Sequence, residues 1–142
     1  MKYPNKLNSP IKWVVFAMIL LSPILFGAYL AKLPTVTLDN DVIHIGGRFG
    51  DTFKISEIQS VDTVSVYPKI ERMLGGSGLF ISNIGNFKLE NEEETAKLCF
   101  YRNKPPIIKI RMNNNGLLLL NFNESDKTIE FYRQLKNNLS KN

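Results

Sequence analysis

An uncharged stretch of nineteen residues, Trp13 to Ala31, places the strongest constraint on how this chain folds. A helix of that length is about 28 Å long, close to the roughly 30 Å hydrocarbon core of a bilayer. Lys12 and Lys32 flank the stretch, and Trp13 and Tyr29 lie near its ends. Long cationic side chains and aromatic rings favour the membrane interface. The sequence therefore predicts one transmembrane helix over residues 13–31.

Two alternatives exist for this apolar stretch. A cleaved signal peptide needs a shorter apolar core and small residues at positions −3 and −1 of the cut. Cleavage after Ala31 would place Tyr29 at −3, and cleavage after Ala28 would place Phe26 there, so neither site fits. We therefore favour a retained anchor over an exported soluble domain released by signal cleavage. A buried core helix is the least favoured, because the residues downstream supply their own apolar strands.

The distribution of lysine and arginine predicts the orientation of the helix in the membrane. The α-amine and three lysines belong to the polar leader, residues 1–12, whereas only Lys32 and the distant Arg48 come after the span. By the positive-inside rule, the N-terminus lies in the cytoplasm and the folded domain lies outside.

Length and charge limit the nature of the domain downstream of the helix. The chain has 142 residues, which leaves about 110 after the span, enough for one domain. The net charge of +5 is concentrated around the helix, because all 13 acidic residues lie downstream of it. The domain itself is nearly neutral and lacks the basic surface of a nucleic-acid-binding protein. A single cysteine, Cys99, excludes an internal disulfide.

The remaining sequence shows the alternation and turn residues of a β-rich domain. Thr35–Leu38 and Val42–Ile45 are predicted to form a hairpin, and the Asn-Gly pair at Asn115 and Gly116 predicts a tight turn. A helix capped by Ser125 is predicted to end the domain, because its apolar residues recur on one face. Further strands are predicted at 51–55, 58–67, 85–90, 94–101, 107–112 and 116–122.

Residues 68–84 are predicted to form one long irregular connection, and the candidate binding residues lie mainly within it. A connection of this length in a compact domain is usually functional or mobile. The competing interpretation is that Leu79 and Phe80 fold back onto the core. The candidate residues of this connection and of the neighbouring turn are Arg72, Leu74, Gly75, Gly76, Gly78, Leu79, Phe80 and Lys104.

Signals for catalysis or metal binding are weak. His44 is the only histidine and alternates with apolar neighbours, so we expect it to face solvent. Cys99 has no histidine near it in sequence, and we expect an inert thiol. The glycines at 75, 76 and 78 are not followed by the Gly-Lys-Ser/Thr of a phosphate-binding loop. We therefore expect no enzyme activity, no cofactor and no metal site.

Several structural motifs resemble the bacterial pleckstrin-homology (PH) domain family found on small membrane-anchored proteins. The matching elements are Gly85-Asn86-Phe87, Leu98–Tyr101, Ile108-Lys109-Ile110, the strand ending at Phe122, and the closing helix. The resemblance covers residues 35–140. It implies a mainly β fold: a PH-like antiparallel barrel of about seven strands closed by a C-terminal α-helix, preceded by one transmembrane helix in a bacterial cell membrane.

Eukaryotic PH domains bind inositol phosphates through a basic cluster in an early hairpin loop. The matching turns of this chain carry Asp39, Asp41, Arg48 and Asp51, so inositol phosphate binding is not implied.

These features support two hypotheses of function. The first is a membrane-anchored binding module whose loops contact another protein or a lipid, without catalytic activity or nucleic-acid binding. The alternative is a structural or assembly subunit of a membrane complex, in which the domain associates with itself or with other subunits.

Overall fold

The computed structural model of the protein describes residues 9–31, 34–47, 49–79 and 81–141; the side chains of residues 9, 30, 31 and 79 are outside this description. The described residues fall into two compact units, the N-terminal helix and the β-rich remainder.

The N-terminal unit is one apolar helix, α1 (Ser9–Ala31), which begins four residues before the predicted span. Its segment Pro10–Tyr29 has a mean hydropathy of 2.0 and is long and apolar enough to cross a membrane, a property that a signal sequence shares. None of that segment is buried, whereas the core helix of a soluble protein is mostly buried. Pro23 lies inside the helix, and Ser22 Oγ donates to the Ile19 carbonyl, 3.2 Å away.

The second unit is mainly sheet. Its described residues form nine strands, one short 3-10 turn (Ile55–Glu57) and a C-terminal helix, α2 (Ser125–Leu139). The strands are β1 (Val36–Asp39), β2 (Val42–Ile45), β3 (Asp51–Lys54), β4 (Ile58–Val64), β5 (Ile70–Leu79), β6 (Ser82–Leu89), β7 (Thr95–Tyr101), β8 (Ile107–Met112) and β9 (Leu117–Leu120).

These strands form two sheets that do not close into a barrel. One sheet has the order β1-β2-β3, and the other has the order β4-β8-β9-β7-β6-β5. The described strands thus differ from the predicted antiparallel barrel of about seven strands. One pair, β7 with β9, is parallel, and β9 lies between β7 and β8 in the sheet although β8 precedes it in sequence. Local alternation predicts where strands occur, but it does not encode which strands pair.

The predicted hairpin is confirmed as β1 and β2, with Leu38 opposite Ile43. Asn40 has a φ of 49° in its turn, a conformation that asparagine tolerates better than most residues. The predicted turn after β8 is also confirmed, with Asn115 at a φ of 64°. Turn residues were therefore a reliable signal in these two places.

The six-stranded sheet is apolar on both faces. Because neighbouring residues of a strand point to opposite faces, the four leucines of β9 divide between two cores. Leu118 and Leu120 pack in a core that includes residues of β2 and α2. Leu117 and Leu119 pack on the other face with residues of β6 and β7. The second core is formed by the sheet itself, because its buried members all belong to β6, β7, β8 and β9.

α2 covers the first of these cores through Phe131 and Leu135, both buried. The predicted cap is wrong, because the helix already begins at Ser125, whose hydroxyl instead donates to the Pro105 carbonyl at 2.6 Å. Thr128 Oγ1 accepts from the Phe122 backbone N–H at 3.0 Å and so links the helix to the end of the last strand.

Candidate functional site

The candidate residues at 72–79 lie in a strand. β5 pairs with β6 in an antiparallel hairpin, with Met73 opposite Phe87 and Leu79 opposite Ser82. The predicted irregular connection over residues 68–84 is therefore wrong. The glycines at 75, 76 and 78 suggest a flexible turn when the sequence is considered alone. In the structure, the strand requires a glycine at position 76 because of its pairing with β6.

The two backbones approach closely at Gly76 and Gly85, which are paired across the hairpin. Both have a positive φ, 149° and 119° respectively. A Cβ atom on Gly76 would lie 2.0 Å from the Ile84 carbonyl oxygen, and one on Gly85 would lie 2.2 Å from the Gly75 carbonyl oxygen. Only glycine fits at either position, so these residues permit the close pairing of the two strands.

β5 is an edge strand, since it ends the order of the six-stranded sheet. Its pairing with β6 is irregular between Ile70 and Arg72 and again between Met73 and Gly75, and it is regular from Gly75 to Leu79. We call this regular segment, Gly75–Leu79, the β5 edge. Strand edges present unpaired N–H and C=O groups, and proteins usually protect them with charges, prolines or bulges. The β5 edge has no charge and no proline.

The other predicted residues of the hairpin differ in their surroundings. Arg72 is exposed and lies directly opposite Lys88 of β6. Leu74 is 48% exposed, and Gly75 is exposed. Leu79 ends β5, with its side chain outside the described part, and Phe80 lies outside the described residues. The interpretation that they fold back onto the core stays a prediction.

Lys104 is positioned by a different part of the chain. Its backbone N–H donates to the Tyr67 hydroxyl at 2.5 Å, and its own side chain is exposed. Arg102, two residues earlier, donates from its backbone N–H to the Ile81 carbonyl at 2.9 Å and from its guanidinium to Asn83 Oδ1 at 2.9 Å. The β7–β8 connection thus adjoins the hairpin turn through Arg102.

Two exposed apolar residues of this hairpin were not identified from the sequence. Met73 is 51% exposed and Ile81 is 55% exposed. Met73 adjoins the predicted Leu74, so a run of two large apolar residues immediately before the glycines was the available signal. Only the pairing of β5 with β6 shows that Met73 belongs to an edge strand. The same pairing places Ile81 in the turn that joins the two strands.

A cluster of charged side chains lies at the β6–β7 turn. Glu92 accepts hydrogen bonds from Lys109 at 2.7 Å and from Arg111 at 2.9 Å. Burial acts to raise the pKa of Glu92, but the hydrogen bonds and positive charges of Lys109 and Arg111 outweigh it, so the pKa lies below its ordinary value. Lys88 Nζ donates to the carbonyls of Glu92 and Glu93 and holds the same turn.

A cavity of about 380 Å³ adjoins this turn, with Val64, Leu89, Leu117 and Leu119 among its lining residues. Glu92 pairs with Lys109 and Arg111 of β8 at the border of this cavity. These ion pairs therefore have a structural role: they hold the β6–β7 turn against β8.

The surroundings of His44 and Cys99 do not favour catalysis or metal binding. His44 is exposed, as predicted, with Nδ1 3.2 Å from Thr52 Oγ1. Cys99 is buried, and burial raises the pKa of its thiol to about 12, which favours the unreactive protonated form. Within residues 9–31, 34–47, 49–79 and 81–141, no group of three or more His, Cys, Asp or Glu residues is arranged to hold a metal ion.

Comparisons of the chain with protein-family models, curated proteins and solved structures gave no match. Any functional conclusion therefore depends on the geometry of the chain itself.

Proposed function

We propose that the chain is a membrane-anchored interaction module that binds an extended segment of a partner protein along the β5 edge. The observation that carries this proposal is an edge strand whose pairing with β6 keeps one register over Gly75–Leu79 and which has no protecting charge or proline there. An added strand satisfies the unpaired backbone groups of an edge, which is a common mode of peptide recognition. Each of the other outer strands carries an aspartate, Asp39 in β1, Asp51 in β3 and Asp62 in β4. The charges of β5, Glu71 and Arg72, lie before the β5 edge.

Anchoring by α1 is part of the same proposal, and the length and apolar composition of Pro10–Tyr29 support it. We propose a single pass through a bacterial cell membrane, with the N-terminus in the cytoplasm and a PH-like domain over residues 35–140 outside. The terminal helix that packs on a largely antiparallel sheet supports the PH-like relationship. The parallel pair β7–β9 departs from a simple antiparallel meander.

The proposed activity is contact without catalysis. The β5 edge contributes backbone groups, and exposed Met73 and Leu74 lie beside it, none of which serves as a general acid, base or activated nucleophile. A backbone hydrogen bond adds only about 1 kcal/mol net. Five residues of added strand therefore give modest affinity, which side-chain contacts must supplement.

Site-specific photo-crosslinking in the native membrane tests the proposal. Photoreactive p-benzoylphenylalanine in place of Met73 should crosslink to an extended segment of another protein. Ser77→Lys, which places a charge in the middle of the β5 edge, should abolish the product. A matched control, Thr37→Lys, adds the same charge to the exposed edge strand β1 and should leave the product unchanged.

The result also separates the two hypotheses of function. A crosslink between two copies of this chain through Met73 would favour the assembly subunit. A crosslink that persists in the Ser77→Lys variant would refute strand addition at the β5 edge.

A further inference from the structure

Gly75 is the one glycine of β5 whose missing side chain leaves open space. A Cβ atom on Gly76 would meet the backbone of β6, and one on Gly78 would lie 3.3 Å from Asn83 Oδ1 and 3.8 Å from Phe87. A Cβ atom on Gly75 would have nothing within 4 Å. The strand therefore has a bare, solvent-exposed backbone surface at this position, next to exposed Leu74.

Such a surface suits an aromatic ring. An aromatic residue on an added strand covers the backbone of a glycine on its neighbour, an effect known to stabilise glycines in sheets. A flat ring also gives a large contact area while losing the freedom of only two side-chain torsions.

Arg72 adds a requirement for charge. It is exposed and lies directly opposite Lys88, whose Nζ donates to the Glu92 and Glu93 carbonyls, and β6 has no acidic residue to pair with it. In the described part of the chain, Arg72 takes part in none of the salt bridges, which involve Lys69, Lys97, Lys109, Arg111 and Lys127. A carboxylate on an added strand would pair with the exposed Arg72 guanidinium.

We infer that the segment bound at the β5 edge carries an aromatic side chain over Gly75 and an acidic side chain beside Arg72, within about three residues of each other. This inference rests on the proposed function. It specifies the ligand as an extended acidic-aromatic protein segment, whereas strand addition alone would accept any extended sequence.

Selection from a library tests the inference without knowledge of the natural partner. The probe is a phage-displayed library of random dodecapeptides, and the target is the full chain in phosphatidylcholine nanodiscs. Peptides selected on the wild-type chain should be enriched about tenfold in sequences with an aromatic and an acidic residue at this spacing, the factor expected from one well-packed aromatic contact.

Three variants assign the two preferences to their residues. Gly75→Val adds a branched side chain where a Cβ atom would have nothing within 4 Å, and it should abolish the aromatic preference. Arg72→Glu should replace the acidic preference with a basic one. Thr37→Lys, on the other sheet, should leave both unchanged. Thermal unfolding of each variant verifies that it is folded.

The outcomes distinguish the inference from the proposed function. Selected peptides that lack the aromatic and acidic residues, or that bind Gly75→Val as well as wild type, would refute the inference and leave strand addition standing. Equal recovery on the wild-type and Ser77→Lys chains would refute both.

Discussion

Gly76 and Gly85 face each other across β5 and β6 so closely that a Cβ atom on Gly76 would lie 2.8 Å from the Cα atom of Gly85. Neither position accepts a side chain, whereas the adjacent Gly75 faces open space. Two neighbouring glycines of one strand therefore have different roles. Gly76 allows the hairpin to form, and Gly75 shapes its outer surface.

Substitutions at these two glycines should affect stability in different ways. Gly76→Ala introduces a clash with backbone at a positive φ, and we expect the free energy of unfolding to fall by about 2–4 kcal/mol. Gly75→Ala should change it by no more than about 0.5 kcal/mol. Urea unfolding of the full chain in detergent measures both. Equal destabilisation by the two variants would contradict the close approach of the strands.

Glu92→Gln should destabilise the domain by about 1–2 kcal/mol at pH 7, because hydrogen bonds to the charged carboxylate from Lys109 and Arg111 are weakened. The pKa of Glu92 is lowered from 4.5 in the folded state, so its stabilising contribution is present above pH 4.5. That contribution disappears as the pH falls through the folded-state value. The gap between wild type and Glu92→Gln should therefore narrow below pH 4.5.

Urea unfolding at several pH values measures this gap. The control is Glu93→Gln, because Glu93 is exposed and contributes its carbonyl to the clamp. It should behave like wild type across the range. A gap for Glu92→Gln that is independent of pH would argue against an ionised clamp.

Asn121 should be one of the most sensitive polar positions. It is 1% exposed, accepts from the Tyr101 N–H at 2.6 Å, and donates to the carbonyls of Tyr101 at 3.1 Å and Lys104 at 2.6 Å. Asn121→Ala leaves these groups without partners and should cost about 2–4 kcal/mol. Thermal unfolding compares it with Asn123→Ala, which alters an exposed residue and should be nearly neutral. Similar losses from the two variants would exclude this bridging role.

The apolar helix leads to a prediction about membrane extraction. The intact 16.2 kDa chain should stay in the membrane fraction after washing with alkaline carbonate. Substitution of Leu20 and Leu21 by aspartate adds about 2.5–3.5 kcal/mol of insertion cost per charge and should release it. Lys12→Gln, at the border of the span, is the control. A shorter soluble chain from wild type would indicate cleavage of a signal peptide instead.

Local patterns in the sequence were sufficient for several elements. Alternation located β1 and β2, and the Asn115-Gly116 pair marked the reversal of the chain after β8. The apolar face of the last helix predicted the burial of Phe131 and Leu135. These features depend on interactions between residues close in sequence, so their signals are local.

The β5–β6 hairpin and the order of the sheet depend on contacts between distant residues. Gly76 needs Gly85 opposite it, and β9 pairs with β7 although β8 lies between them in the sequence. A glycine-rich stretch looks the same in a mobile loop and in a closely paired strand. Candidate residues within 72–79 were therefore chosen from the sequence, but the edge strand to which they belong was not predicted.

Amide hydrogen exchange of β5 tests the central claim most directly. The full chain is isolated from its native membrane with its bound partner and compared with the chain alone. We predict that exchange at Gly75–Leu79 slows at least about tenfold in the complex, because an added strand takes up the edge groups. Exchange in the outer strand β1 should not change. Unaltered exchange at Gly75–Leu79 in the presence of bound partner would contradict the account.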